Sequence, residues 1–297
     1  MYRNRLLTLL ILLLSGMLAY AQEPESQDTV WRINGKTGFL FNQVALTNWS
    51  GGGENSLAMQ ATFDIDLKYK QEKWKWDNII RLGYGLSKQG EETFNKTHDQ
   101  LFVNTNLGYD LGGPWYLTFN ANFRTQFADG YKLPNDSVKV SAFMAPGYLV
   151  TAIGIEYKPN EHLMISVNPI SNKTIFVMDD VLAAQGAYGV DSLANIKDLF
   201  GAFISLAYKK EIVKNVTLGT LYMMFGDYKN LASWDINWDM ILDFKINDFL
   251  EANLTMGLIY DEDIAISVDN TGDGVKESFG PRVQFRQALG IGLVARF

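Results

Sequence analysis

The chain has 297 residues, no cysteine and a formal net charge of -7. Without a thiol it can form neither a disulfide nor a thiolate metal or catalytic site, and its acidic balance argues against nucleic acid as a partner. Its overall hydropathy is close to neutral, as expected when apolar and polar residues alternate.

Arg3 and Arg5 precede a mostly apolar run from Leu6 to Leu14, and Ala19-Tyr20-Ala21 follows. A positive start, a short apolar centre and an Ala-x-Ala ending predict a secretory signal peptide over residues 1–21, cleaved after Ala21. The run is shorter than the roughly 20 residues of a spanning helix. Gln22 rather than cysteine follows the cleavage site, so no lipid anchor is expected. Residues 22–34 read as a periplasmic linker, polar from Gln22 to Thr29, and residues 35–297 as one domain. No other segment is a long apolar run.

The rest of the chain alternates with a period of two. The first candidate strand is Gly35 to Trp49, and the flexible loop Ser50-Gly51-Gly52-Gly53-Glu54-Asn55-Ser56 follows. The second, Leu57 to Lys70, is the clearest. Leu57, Met59, Ala61, Phe63, Ile65, Leu67 and Tyr69 make one face, while Asp64, Asp66 and Lys68 lie on the other. After a tight turn the third strand runs to about Lys88, with Ile80, Leu82 and Tyr84 opposite Arg81 and Gly83. The fourth carries Leu101, Val103 and Leu107. The fifth is Trp115 to Phe127, with Arg124 on its polar face. The loop Ala128 to Ser141 leads to a sixth strand ending at Tyr157. A short seventh strand, Leu163 to Val167, meets the longest connection, Asn168 to Asp198. Strands eight to eleven follow: Phe200 to Lys210, a ninth ending near Phe225, Trp234 to Ile246, and a segment from Leu250 to Tyr260 that includes Glu251. The loop Asp269 to Ser278 precedes the last strand, which ends at Phe297 and puts Phe297, Ala295, Leu293, Ile291 and Leu289 opposite Arg286 and small residues.

About twelve strands result, and their connections alternate between long and short. Membrane barrels sort their loops this way, with brief periplasmic turns and longer external loops. One face of each strand is nearly free of charge. A charge on the lipid face at mid-membrane costs about 2–4 kcal/mol, so the apolar face is read as the outside. Trp74, Trp76 and Trp115 fall near short turns, and Trp49 and Trp234 near long loops, where two interfacial aromatic belts belong. The fold expected is therefore all-β: a transmembrane antiparallel up-and-down β-barrel of about 12 strands. An even count places both termini in the periplasm. The aromatic carboxy-terminus resembles the closing strand of outer-membrane barrels, in which such an ending is an assembly signal, a role this places on Phe297. Outer-membrane lipid and, during insertion, the β-barrel assembly machinery are the partners expected.

From about Trp31 to Phe297 the chain resembles a Bacteroidetes outer-membrane family known as a domain of unknown function. Trp31-Arg32, Asn48-Trp49-Ser50-Gly51-Gly52, the segment from Trp76 to Tyr84 and Pro169-Ile170-Ser171 carry the resemblance. It implies a barrel in the outer membrane and supplies no activity and no catalytic residues.

Asp64, Asp66, Lys68, Arg81, Arg124, Asp235, Asp239, Asp243, Lys245, Glu251 and Arg286 are the candidate lumen-lining residues, being the charges on the inward faces. His98, beside Asp99, is where a rim general base would sit, since such a base needs an orienting partner. No serine is clearly placed to pair with it, and His162 falls on the opposite rim. A solvated rim histidine and a protein that is not an enzyme are expected. Asp269-Asn270-Thr271-Gly272-Asp273-Gly274 resembles the start of a calcium loop, but Gly280 stands where the closing bidentate glutamate belongs, so an acidic surface loop is expected, and neither a metal nor a cofactor. Asp28-Thr29-Val30, Asp136-Ser137-Val138 and Asp191-Ser192-Leu193 resemble Bacteroidetes O-glycan sites, making Thr29, Ser137 and Ser192 candidate acceptors. Two functions stay open: a small passive diffusion channel, or a non-enzymatic accessory subunit of a larger outer-membrane secretion or assembly complex. The long Asn168 to Asp198 connection is a candidate plug or docking element.

Overall fold

The computed structural model describes residues 30–47, 54–132, 138–230, 234–268, 271 and 278–297. In chain order its strands are β1 (Trp31–Val44), β2 (Ser56–Gln71), β3 (Trp74–Gln89), β4 (Asn95–Gly112), β5 (Trp115–Thr125), β6 (Gly130–Tyr131), β7 (Lys139–Ser141), β8 (Gly147–Tyr157) and β9 (Leu163–Phe176). A short helix α1 (Asp180–Ala184) leads to β10 (Ile196–Val213), β11 (Val216–Asp227), β12 (Trp234–Lys245), β13 (Leu250–Tyr260), β14 (Ala265–Val268), β15 (Ser278–Pro281) and β16 (Gln284–Arg296). Twelve of these close into one barrel, each antiparallel to its neighbours; β6 with β7, and β14 with β15, are small hairpins in the long connections. Closure satisfies every edge, which is the condition for crossing a bilayer with strands. Among the described residues no helix is long and apolar enough to cross a membrane.

The seam joins β1 to β16 from Lys36 opposite Arg296 to Phe41 opposite Ile291. It ends where Gly35 N–H donates to the Phe297 carbonyl at 2.7 Å and Phe297 N–H donates to the Gly35 carbonyl at 3.0 Å. The Phe297 ring occupies the space a side chain at residue 35 would need. Its centroid lies 6.4 Å from that of Phe63. The aromatic ending is thus built into the closing seam.

The alternation holds in three dimensions. Ile33, Phe39, Phe41, Leu117, Phe119, Ile153, Ile155, Leu289, Ile291 and Leu293 are exposed on the outside. At the short-turn end Trp31 stacks near Tyr69 and Trp76, Trp74 near Tyr109, and Trp115 near Tyr157, with centroids 4.7–5.8 Å apart. These amphipathic rings form the aromatic girdle of that rim. Trp49 lies outside the described residues.

Two strands, β1 and β9, depart most from the boundaries expected from the sequence. β1 begins at Trp31, so residues 31–34 are strand and not linker, and it ends at Val44 rather than Trp49. The seventh barrel strand, β9, runs 14 residues to Phe176 instead of stopping at Val167. The chain passes Pro169 by bulging. The register jumps between Gly201 and Phe203 on β10 and between Ile153 and Ile155 on β8. Gly154 admits the bulge, because a side chain there would meet the Val167 carbonyl and Asn168 Cα. Proline lacks a ladder donor, and a bulge beside a glycine is how a strand interior tolerates it.

Candidate functional site

The inward residues of these strands line the lumen, and they divide it unevenly. On the side of β3, β4, β8, β10 and β11 it is filled. Phe102, Val150, Ala152, Phe203, Met223 and Phe225 are buried together, with Ile79, Leu199 and Leu221 against them. Asn106, Thr118, Asn120, Asn122, Ser166 and Asn168 are buried around this cluster. Each buried phenylalanine stabilises by about 2 kcal/mol relative to exposure. The sequence reading placed apolar side chains outside and polar ones inside, and this internal cluster corrects it. Phe102, Phe203 and Phe225 have inward parity, but each is a single apolar residue in an otherwise mixed face.

Charges brace the same interior. Near the short-turn end Glu251, fully buried, accepts from Lys36 at 2.7 Å and from Arg296, while Lys36 also reaches Asp243 at 2.9 Å. Across from them buried Lys75 pairs with fully buried Glu156, which also accepts from Asn106 Nδ2 at 2.6 Å. Near the long-loop end Lys173 bridges Asp235 at 2.6 Å and Asp261 at 3.3 Å. Buried ions need such partners, since an isolated buried charge is costly.

Most of the candidate lumen residues take their places in this network. Arg124 reaches Asp239 at 2.7 Å and Asn237 at 3.0 Å. Lys209 reaches Asp66 across the lumen at 3.3 Å. Arg81 faces Asp64 at 4.0 Å, and both side chains keep about a third of their surface, 36% and 34%. They lie midway along β2 and β3, so water reaches the middle of the barrel on this side. Lys68 lies at the turn-end mouth. Lys245 instead pairs with Asp248 at 2.7 Å, three residues on, at the rim turn and away from the braces. Lys36, Lys75, Glu156 and Lys173 were missed as lumen residues. Their parity marked them, but Lys75 sits between two tryptophans and Lys173 in a segment read as loop.

His98 lies near the long-loop end of β4 and is half-buried rather than freely solvated. Arg286 donates to its Nδ1, and the imidazole packs over Gly83, where a side chain would displace it. His162 lies in the short turn after β8, where its backbone N–H donates to Asn160 Oδ1 at 2.9 Å, so the two histidines stand at opposite ends.

The connection between β9 and β10 is shorter than Asn168 to Asp198 and is folded. Asp179 caps α1, accepting from Val181 and Leu182 N–H groups at 3.1 Å each. Lys139 on β7 clips the two long connections together, with Asp129 and Asp179 both at 2.9 Å. Ala142, Ala145, Ile175, Val177, Leu182, Ala183 and Val190 form a buried apolar cluster beneath. Tyr188 donates to the Val140 carbonyl, and burial lifts its hydroxyl to about 12. Ser192 lies exposed in this connection beside Leu193. Thr29 and Ser137 lie outside the described residues, as do residues 1–21, read from the sequence as a signal peptide. The calcium-loop segment 269–274 lies outside them too, except Thr271.

The fold defines a closed twelve-stranded β-barrel of the outer-membrane type. A family model described as "Protein of unknown function (DUF3078)" matches residues 41–131, from the end of β1 to β6. No curated protein matches the chain. Among solved structures it is similar to the COG4313 outer membrane channel from Pseudomonas putida F1, at 10% identity and TM-score 0.40, covering 93% of this chain and 100% of that one. It is also similar to the NanC porin, at 8% identity and TM-score 0.37, covering 88% and 98%. The translocator domain of the autotransporter NalP from Neisseria meningitidis is a third, at 9% identity and TM-score 0.29, covering 98% and 97%. At this level the likeness is one of barrel architecture and supplies no role.

Proposed function

We propose that this protein is a narrow outer-membrane diffusion channel whose conducting path runs along one half of the lumen, past Asp64 and Arg81. The observation that carries this reading is the exposure of that pair at mid-barrel, facing inward, beside the buried apolar cluster whose Phe102 is the cross-strand neighbour of Arg81. Small solutes and ions would pass between carboxylate and guanidinium groups, with the packed half limiting the bore. The apolar exterior and the aromatic girdle support a bilayer as surroundings. The leader-like sequence of residues 1–21 supports export, and the even number of barrel strands supports both termini on the periplasmic side. Phe297, held in the seam, would serve recognition by the assembly machinery. The role is read as non-enzymatic, because Arg286 occupies the Nδ1 lone pair that His98 would need as a base.

A second reading, a closed accessory subunit of an outer-membrane complex, is favoured by the buried Phe102–Phe203–Phe225 cluster. Single-channel conductance of the refolded chain in a planar bilayer separates the two. A steady current whose ion selectivity shifts toward anions in Asp64→Asn and toward cations in Arg81→Gln supports the channel. A folded, heat-modifiable barrel that carries no current contradicts it and favours the accessory role.

A further inference from the structure

The lumen's cations are mostly neutralised, but three of those at the short-turn mouth are not. Lys75 and Lys158 are held by Asp77 at 3.7 and 3.1 Å, and Lys75 also by Glu156. Among the described residues Arg32, Lys68 and Lys70 take part in no ion pair. Their arrangement is unfavourable as it stands. Arg32 on β1 lies directly opposite Lys68 on β2, and Lys70 on β2 lies directly opposite Lys75 on β3. Like charges directly across two strands destabilise a sheet. These residues, with Lys158, line one cavity of about 520 Å³ at the mouth, to which Asp77 and Glu161 contribute the only carboxylates. With the Glu156 that holds Lys75, five cations therefore meet three carboxylates, and Glu161 is 81% exposed and points its charge at His162.

We propose that this mouth is a binding site for a phosphate-bearing anion, held by Arg32, Lys68 and Lys70. The cavity is large enough for a phosphate with a modest organic substituent. The guanidinium of Arg32 supplies a planar fork suited to two phosphate oxygens, and the two ammonium groups supply flexible point charges. Bound anion would relieve both like-charge pairs, so occupancy stabilises the barrel as well as filling the mouth. On the channel reading, the site would concentrate phosphate-bearing solutes at one end of the conducting path. Binding itself does not depend on that reading.

The test is calorimetric titration of the refolded full chain in zwitterionic detergent at low salt, with inorganic pyrophosphate as the probe. Saturable binding is expected, weakened at least tenfold in Arg32→Gln and in Lys68→Gln and unchanged in Lys229→Gln, which lies in the distant β11–β12 connection. Heat-modifiable gel mobility confirms that each variant is folded. Native mass spectrometry from phosphatidylglycerol and phosphatidylcholine vesicles distinguishes the source of the phosphate. Pyrophosphate heat assigns a soluble ligand. Phosphatidylglycerol retained only when Arg32 and Lys68 are intact, without pyrophosphate heat, assigns a lipid headgroup; either supports the site. Neither signal, or an equal loss in Lys229→Gln, overturns it. A silent bilayer with binding intact would sink the channel reading alone.

Discussion

Arg124 and Asp239 are 115 residues apart in sequence, and their side chains meet at 2.7 Å inside the barrel. One comes from β5 and the other from β12, strands that are not neighbours in the sheet. The ion pair is thus a brace across the lumen rather than a ladder contact. Both groups keep some water, 18% and 31% of their side-chain surface. Screening limits such a pair, so a double-mutant cycle of Arg124→Gln and Asp239→Asn in urea-induced unfolding from lipid vesicles should give a coupling of about 1 kcal/mol. Strict additivity would show that the two do not interact in the membrane.

Glu251 has no exposed surface and accepts from both Lys36 and Arg296. Removing its charge leaves two cations in the interior without their shared anion. Glu251→Gln should therefore cost about 3 kcal/mol of stability. It should also lower the temperature at which the barrel loses its compact mobility on a gel. An unchanged transition would mean that water already screens this cluster.

On the channel reading, the packed half of the lumen limits the bore. Phe102 and Phe225 are almost fully buried at its centre. Phe102→Ala should destabilise the barrel by about 3 kcal/mol. In the same variant, conductance should rise as the wall retreats. Current equal to that of the parent would place the conducting path elsewhere.

The loop clip should respond to acid. The Lys139 hydrogen bond, then the Leu182 N–H, hold Asp179 below its usual 3.8, and hydrogen bonds to Asp129 and Asp179 hold Lys139 above its usual 10.5. A lowered carboxylate contributes stability above its unfolded value and loses it as pH falls through the folded one. A raised ammonium contributes stability below its unfolded value and loses it as pH rises through the folded one. The clip should therefore hold from about pH 5 to about pH 10 and release below about pH 4. Limited proteolysis of the 126–146 connection should be slow across that window and accelerate in acid. Lys139→Ala should be cleaved rapidly at neutral pH. Equal cleavage of parent and variant at pH 7 would show that Lys139 does not hold the two connections together.

The barrel was legible in the sequence because its outer face answers to lipid, which excludes charge from every strand alike. Leu57 to Tyr69 and Trp234 to Ile246 read correctly for that reason, and the alternating loop lengths followed. The interior obeys no such uniform rule. Phe102 and Arg124 both point inward, one into the filled half and one into a brace, and parity cannot tell them apart. Pro169 hid half of β9, since a proline inside a strand reads as an ending unless the facing Gly154 is known. His98 read as a rim residue because Arg286, its partner, lies 188 residues away. Which charges meet across a lumen depends on strand neighbours and stagger, and those exist only once the barrel has closed.

On the channel reading, conduction follows the Asp64–Arg81 half of the lumen. The chain has no cysteine, so a single one can report on each half. Arg81→Cys and Val150→Cys, refolded in planar bilayers, would be exposed to a charged, water-soluble thiol reagent while current is recorded. Rapid modification and block are expected at Arg81→Cys, with Val150→Cys inert. Modification of Val150→Cys with Arg81→Cys unreactive, or no current before reagent in either, would contradict that reading.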